Sequence, residues 1–306
     1  MSVVLGIDGG GTRTRASIVK EGATEGQVLA FAESGSIKRL RVGPQAAEEN
    51  LRGLLAEVYA QAGVQSVQAA CCGVASAAMP GIPEWITAVF REFGVARSEV
   101  VGDEVIALDA AFRGGPGILQ IAGTGSNTVG RAPDGSTENA GGWSSRLGDE
   151  GSGYWIGLHA VRRALNAYDR EEPSGVLDAV GRAWGTSTIE ELVNLGDSTP
   201  GPDFAALAPF IDELAEAGDA VAAGILLQAA ADLVDFVLLV RAKLRRKHHL
   251  TEEVPVAWIG SVVGKSRMVR EAFLAGLRVA APGMPVGDKE VAGIEGAIWR
   301  ARRLAE

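Results

Sequence analysis

Apolar positions along the chain fall into short runs separated by glycine-rich turns. Residues 3–7 form one such run, which ends in Asp8-Gly9-Gly10-Gly11-Thr12-Arg13-Thr14. Residues 15–19 then alternate, so the two segments predict a β-hairpin turned by glycines and hydroxyls. Residues 28–32 predict a third strand. The segment 33–42 is polar and basic, with Lys38, Arg39 and Arg41. From 45 to 63, Leu51, Leu54, Leu55 and Val58 recur at helical spacing. A buried strand follows at 67–74, a helix at 83–93, and a short strand at 99–101 that leads into Gly102-Asp103-Glu104. The order β-β-β-α-β-α-β describes one α/β domain.

The pattern then restarts. A strand at 117–122 runs into Gly123-Thr124-Gly125-Ser126-Asn127, and a second at 127–131 is turned by Pro133-Asp134-Gly135. Gly141-Gly142-Trp143 and Gly148-Asp149-Glu150-Gly151-Ser152 precede a helix over 151–168. Residues 173–224 read as helical but too weakly patterned to divide. A long amphipathic helix over 220–247 ends in Arg241, Lys243, Arg245, Arg246 and Lys247, a run that complements the helix dipole. His248 and His249 are expected as its solvated end, and His159, within a helix, as structural. A strand at 254–259, a helix through 277 and an apolar-striped helix over 291–304 complete the chain. Gly293 and Gly296 in that last helix predict close packing against another element. The restart predicts two related halves facing a cleft, 1–112 and 113–287, with 288–306 packing back on the first.

Composition narrows the function classes. The chain has 306 residues, 47% of them hydrophobic and 6% aromatic, with 41 glycines. That profile fits α/β units with many tight strand-to-helix turns. A net charge of −9 argues against a nucleic-acid partner, because a phosphate backbone demands a basic face. The N-terminus enters a strand at once, and no apolar run reads as a membrane span, so a cytoplasmic protein without membrane partners is expected. Cys71 and Cys72 are the only cysteines. They are neighbours, which rules out a disulfide framework, and both are read as small core residues. Three histidines and no spaced cysteines make a transition-metal site a poor fit.

The glycine turns carry the candidate chemistry. Backbone N–H groups approach an anion closely where no Cβ intervenes. The 8–14 turn adds the Thr12 hydroxyl for phosphate oxygens and, in Asp8, a carboxylate suited to a hydrated Mg²⁺. Asp103 follows a strand, where α/β folds place chemistry; it also suits the cap of a helix starting near Val105. Asp149 and Glu150 suit sugar hydroxyls or a metal better than a phosphate. The segment Gly260-Ser261-Val262-Val263-Gly264-Lys265-Ser266 imitates a P-loop. It places three residues before Gly-Lys-Ser where a P-loop has four, so it is not read as one.

Four segments in one order, Asp8 to Thr14, Gly102 to Glu104, Ile121 to Asn127 with Gly141 to Gly157, and Ile259 to Leu277, carry a resemblance that spans nearly the whole chain. The sequence resembles the N-acetylglucosamine kinase branch of the family that includes the BadF-type ATPases, within the actin/hexokinase/Hsp70 superfamily. The resemblance implies an α/β fold of two ribonuclease H-like, actin-like ATPase domains with a cleft between them. It implies ATP and Mg²⁺ as cofactors, a small sugar as substrate and possible assembly as a homodimer. The reaction it implies is transfer of a phosphoryl group to an amino sugar, N-acetylglucosamine or glucosamine, giving the 6-phosphate. By that resemblance Asp8, Gly9, Gly10, Gly11, Thr12 and Arg13 form the first phosphate loop, with Asp8 as its metal contact. Thr124 and Gly125 form the second, and Gly260 and Ser261 the nucleotide-side loop. Asp103 is similar to the catalytic carboxylate, and Ser126, Asn127, Gly142, Asp149 and Glu150 to sugar contacts.

The chain departs from the pattern at Lys38, which falls where these kinases carry an Asn that contacts the sugar. A cation there opposes the ammonium of glucosamine and suits an acidic sugar; alternatively Lys38 faces solvent and another group binds the sugar. Other readings within the superfamily are an iron–sulfur activator of radical dehydratases and a non-catalytic sugar sensor. Adjacent cysteines in an apolar strand fit the first poorly. Asp103 and both phosphate loops argue against the second.

Overall fold

The computed structural model describes residues 3–20 and 27–306. Two units emerge: residues 3–115 with 291–306, and residues 116–290. Strands β1 (Val3–Gly9), β2 (Arg13–Lys20) and β3 (Gln27–Gly35) form an antiparallel ladder. Helices α1 (Arg39–Val42) and α2 (Pro44–Ala62) lead to β4 (Val67–Val74), and α3 (Ile82–Glu92) to β5 (Val95–Val101). α4 (Asp103–Phe112) follows directly. The second unit repeats the ladder with β6 (Gly117–Ala122), β7 (Ser126–Arg131) and β8 (Thr137–Gly141). A helical section follows: α5 (Gly153–Asp169), α6 (Val176–Trp184), α7 (Ile189–Gly196), a short 3-10 turn at Phe204–Leu207, α8 (Ala208–Glu216) and α9 (Ala220–His248). Then come β9 (Val256–Ile259), α10 (Ser261–Lys265), α11 (Arg267–Ala280) and β10 (Val286–Glu290). The closing helix α12 (Gly293–Ala305) belongs to the first unit.

The two sheets have the same plan. Their orders are β3-β2-β1-β4-β5 and, in the corresponding sense, β8-β7-β6-β9-β10. In each, three antiparallel strands are extended by two parallel ones. The restart read in the sequence is therefore a duplication of topology.

In the first unit the sheet lies between two helical layers. Successive residues of β4 face opposite sides, as strand geometry requires. Cys72 joins a core with Ile7, Leu51, Leu55 and Phe90 under α2 and α3. Cys71 joins Val4, Ile106, Ala297 and Ala301 under α4 and α12. The glycines anticipated in the last helix make this second layer possible. A Cβ on Gly296 would lie 1.7 Å from the Ile106 carbonyl oxygen, so α12 and α4 touch backbone to backbone. On the same face of the sheet, Gly6 of β1 leaves room for Ile298 of α12 in the same way.

In the second unit α9 runs across β6, β7 and β8, with α5, α8 and α11 packed on it. By length and composition alone this helix could cross a membrane, contrary to the reading that no such run exists. Its buried face, including Ile225, Leu233, Val237 and Leu244, is the centre of the second core. Its basic end is also more specific than dipole complementation. Arg241 and Arg245 both pair with Glu253, and Lys247 pairs with Glu138 at 2.8 Å. His248 is not solvated: its ring reaches Glu138 at 3.2 Å and is mostly covered. His159 stacks on Trp155 with ring centroids 3.7 Å apart, which agrees with a structural role.

Candidate active site

In the first unit, every strand that runs parallel to β1 delivers its C-terminal end to one edge of the sheet. Asp8 pairs with Gly73, and Gly73 with Val101, so the ends of β1, β4 and β5 lie level. Asp103 stands two residues beyond that level. The hairpin turn after Gly9 lies against its neighbours so tightly that a Cβ on Gly9 would be 3.0 Å from the Gly73 carbonyl oxygen and from Ile37. The start of α12 also abuts this edge: a Cβ on Gly293 would meet the Asp8 carboxylate at 3.1 Å.

Asp103 is the first residue of α4, and the cap is Gly102. The capping alternative therefore does not account for the carboxylate, which accepts a local bond from the Glu104 N–H at 3.1 Å. Glu104 folds back beside it, into the space a side chain at residue 102 would otherwise take. Burial pushes the Asp103 carboxyl up to about 7, aided by the Glu104 carboxyl and by the charge of Asp8. Burial also raises Asp8, against the opposing pull of Arg15. Among the described residues no three His, Cys, Asp or Glu side chains converge tightly enough to cage a metal. Mg²⁺ takes one or two carboxylates and completes its shell with phosphate oxygens and water. The half-buried Asp8 carboxylate, crowded by the charge of Asp103, is a donor a cation would relieve.

Around the turn, Arg13 pairs with Glu33 at 3.8 Å, and Arg15 with the same carboxylate at 2.9 Å. Thr12 accepts a long bond from Arg41 at 3.4 Å. Lys38 immediately precedes α1, its N–H donating to the Ser36 hydroxyl at 3.1 Å. Its ammonium has no partner among the described residues.

In the second unit the corresponding hairpin turn is clamped to the start of α5. The Gly153 N–H donates to the Gly123 carbonyl at 2.8 Å and the Tyr154 N–H to Thr124 at 3.2 Å. Gly125 is open to Asp149, whose carboxylate would lie 2.8 Å from a Cβ there. Asp149 is buried and held in the left-handed region at φ 58°. Ser126 donates to the Glu150 carbonyl at 2.7 Å. Asn127 lies against Gly142, and its buried side-chain oxygen has no hydrogen-bond partner. The turn after β9 rests on the end of β6: Gly260 has φ 116°, and a Cβ there would be 2.4 Å from the Ala122 carbonyl oxygen.

A cavity of about 290 Å³ opens beside these two turns, lined by Gly123, Thr124, Asp212, Ser261, Lys265 and Ser266 among others. Asp212, and Glu213 beside it, were not anticipated, because they come from the weakly patterned section. Ser266 caps α11 and donates to Asp212, so the P-loop imitation is indeed a different turn. Cys71 and Cys72 are fully buried on opposite faces of the sheet, and burial pushes Cys71 up to about 12. Neither is presented for a shared cluster.

Known proteins are similar to this chain over most of its length. An N-acetylmuramic acid/N-acetylglucosamine kinase of Clostridium acetobutylicum is 27% identical over 99% of each chain. An N-acetyl-D-glucosamine kinase of Dictyostelium discoideum is 28% identical over 88% of each. A solved structure from Chromobacterium violaceum, provisionally named an N-acetylglucosamine kinase, is 28% identical. It superposes with a TM-score of 0.71 over 100% of this chain and 99% of that one. The fold is thus α/β with two ribonuclease H-like units. The family model for the BadF/BadG/BcrA/BcrD ATPases matches residues 5–300, and the chain belongs to that family.

Proposed function

We propose that this protein is an ATP-dependent amino-sugar kinase that uses Asp103 as its general base. One observation carries the reading: a partly buried, uncapped carboxylate held near neutrality stands at the same sheet edge as Asp8 and the three-glycine turn. A base poised near the working pH accepts a hydroxyl proton efficiently. The sugar oxygen then attacks the terminal phosphorus, its proton passes to Asp103, and the bridging bond to the ADP oxygen breaks. Such transfer runs through a loose transition state, so the protein mainly positions groups and neutralises charge. Asp8, Gly9, Gly10, Gly11, Thr12 and Arg13 are assigned to the terminal phosphate. Thr124, Gly125, Gly260 and Ser261 are assigned to the rest of the nucleotide, with the neighbouring cavity for its nucleoside end. Mg²⁺ beside Asp8 would supply charge neutralisation on the phosphate oxygens. Ser126, Asn127, Gly142, Asp149 and Glu150 are assigned to the sugar. The unsatisfied Asn127 oxygen is an acceptor for a sugar hydroxyl or amide.

Two substrate readings follow. N-acetylglucosamine fits the names of the relatives, and glucosamine and the 6-hydroxyl are what the family resemblance implies. The unpaired Lys38 ammonium favours an acidic amino sugar, and the Clostridium relative is named for one, N-acetylmuramic acid. ATP consumption measured with N-acetylglucosamine, glucosamine and N-acetylmuramic acid tests both. Sugar-dependent turnover is expected, with the acidic sugar preferred if Lys38 reads the substrate. No turnover on any of the three overturns the kinase assignment.

A further inference from the structure

Short as it is, α1 is fixed at its N-terminal end. On its N-terminal side, Ser36 donates to the Gly10 carbonyl at 3.4 Å and accepts from the Lys38 N–H. Asn50 of α2 donates to the Ser36 carbonyl at 2.8 Å, filling the space that Gly35 leaves open. Arg39 lies over the Trp85 ring at 3.9 Å and within 3.8 Å of Glu48. Trp85 and Arg52 hydrogen-bond that same carboxylate, so α1, α2 and α3 are tied together there. This scaffold aims Arg41 at the glycine turn. Its guanidinium reaches the Thr12 hydroxyl at 3.4 Å and lies 4.0 Å from where a Cβ of Gly11 would be. The neighbouring cations are occupied differently: Arg13 and Arg15 share Glu33, and Arg39 is held by Trp85 and Glu48. Arg41 has no carboxylate partner among the described residues.

We propose that Arg41 is a phosphate-binding residue, spanning the Gly10–Arg13 turn to pair with the terminal phosphate of the nucleotide. The inference rests on the kinase reading above. A guanidinium presents planar paired donors that match two phosphate oxygens. Held in place before the substrate arrives, it needs little reorganisation to neutralise charge as the phosphoryl group departs. The bond to Thr12 is long and involves one nitrogen, which leaves the other donors of the fork for the anion.

The test compares wild type, Arg41→Ala and Arg41→Lys by sugar-dependent ATP turnover and by binding of AMPPNP and ADP. The expected result for Arg41→Ala is a loss of kcat/KM for ATP on the order of 100-fold. AMPPNP affinity should fall about tenfold or more while ADP affinity holds, since only the former carries a terminal phosphate. Arg41→Lys should recover part of the loss. Equal weakening of both nucleotides, or no change in either, overturns the assignment even when the wild type is an active kinase. A wild type that binds AMPPNP but turns over no sugar removes the kinase reading, and the role of Arg41 falls with it.

Discussion

Replacing Asp103 with asparagine should remove the proton acceptor and, for the same physical reason, strengthen the fold. Burial, Glu104 and the charge of Asp8 push this carboxyl from an ordinary 3.8 up to about 7. A carboxyl whose folded value exceeds its unfolded one binds more protons when folded. Stability therefore falls as pH rises from about 4 to 7, and the full cost of holding the ionised form persists above that. At about 1.4 kcal/mol for each pH unit, the interval corresponds to about 4 kcal/mol. That is an upper bound, because Asp103 keeps some contact with water and its charge is coupled to Glu104. Asparagine carries no charge, so Asp103→Asn should regain about 2–4 kcal/mol at pH 8 and nothing below pH 4. Thermal unfolding of both proteins from pH 4.5 to 8.5 would show the curves diverging as pH rises. In a coupled ADP assay the variant should lose about 100- to 10,000-fold in rate. The wild-type kcat/KM should itself fall below about pH 7, as Asp103 takes up its proton. A stability difference independent of pH would refute the burial argument. Retained turnover would remove Asp103 as the base, whatever the stability did.

Three further perturbations separate substrate choice from packing. Lys38→Asn should lower kcat/KM for N-acetylmuramic acid by about 10- to 100-fold, the worth of a hydrogen bond to a charged group, and leave N-acetylglucosamine nearly unchanged; equal effects on both sugars would place Lys38 outside the sugar site. Gly296→Ala should cost more than the usual 1–3 kcal/mol of overpacking, because its Cβ would enter backbone at 1.7 Å and α12 must lift from α4. Gly53→Ala in α2, with open space around it, should instead stabilise by up to about 1 kcal/mol in the same unfolding assay.

Most of the fold was legible because its central strands carry the signal. β1, β4 and β6 are apolar nearly throughout, and β2 keeps its alternation, so their runs and turns stand out. The elements missed are those that burial does not mark. β8 and β10 are the two edges of the second sheet. In β8 only Ala140 is buried, and β10 has no buried residue at all. α1 is four residues long, too short to show a period. The section from α6 to α8 consists of helices of eight or nine residues, and a period of 3.6 is barely sampled in two turns. Asp212 was lost with them, although Asp203 and Pro209 mark local helix starts. The glycine turns were legible as strand-to-strand turns because their spacing is local. The pairing of His248 with Glu138 was not, since it joins residues 110 apart in the chain.

Duplication explains why similar turns need not share a task. Counting back from each hairpin turn, Asp8 paired with Arg15 occupies the place of Ile121 paired with Asn127. The first unit therefore puts a carboxylate and a guanidinium at the strand end, and the second puts an apolar residue and an amide. The second unit has an acid by its turn as well, but Asp149 comes from a loop outside the sheet and abuts Gly125 rather than the strand. The first unit also adds Asp103 at the end of β5, whereas β10 leads into Val291, Ala292 and Gly293. The sheet edge of the first unit thus carries the two carboxylates, Asp8 and Asp103, that the proposal assigns to a cation and to proton transfer. Under the proposed assignment the second unit would hold the nucleotide through backbone amides and hydroxyls beside Thr124 and Ser261, at a cavity also lined by Asp212, Glu213 and Lys265.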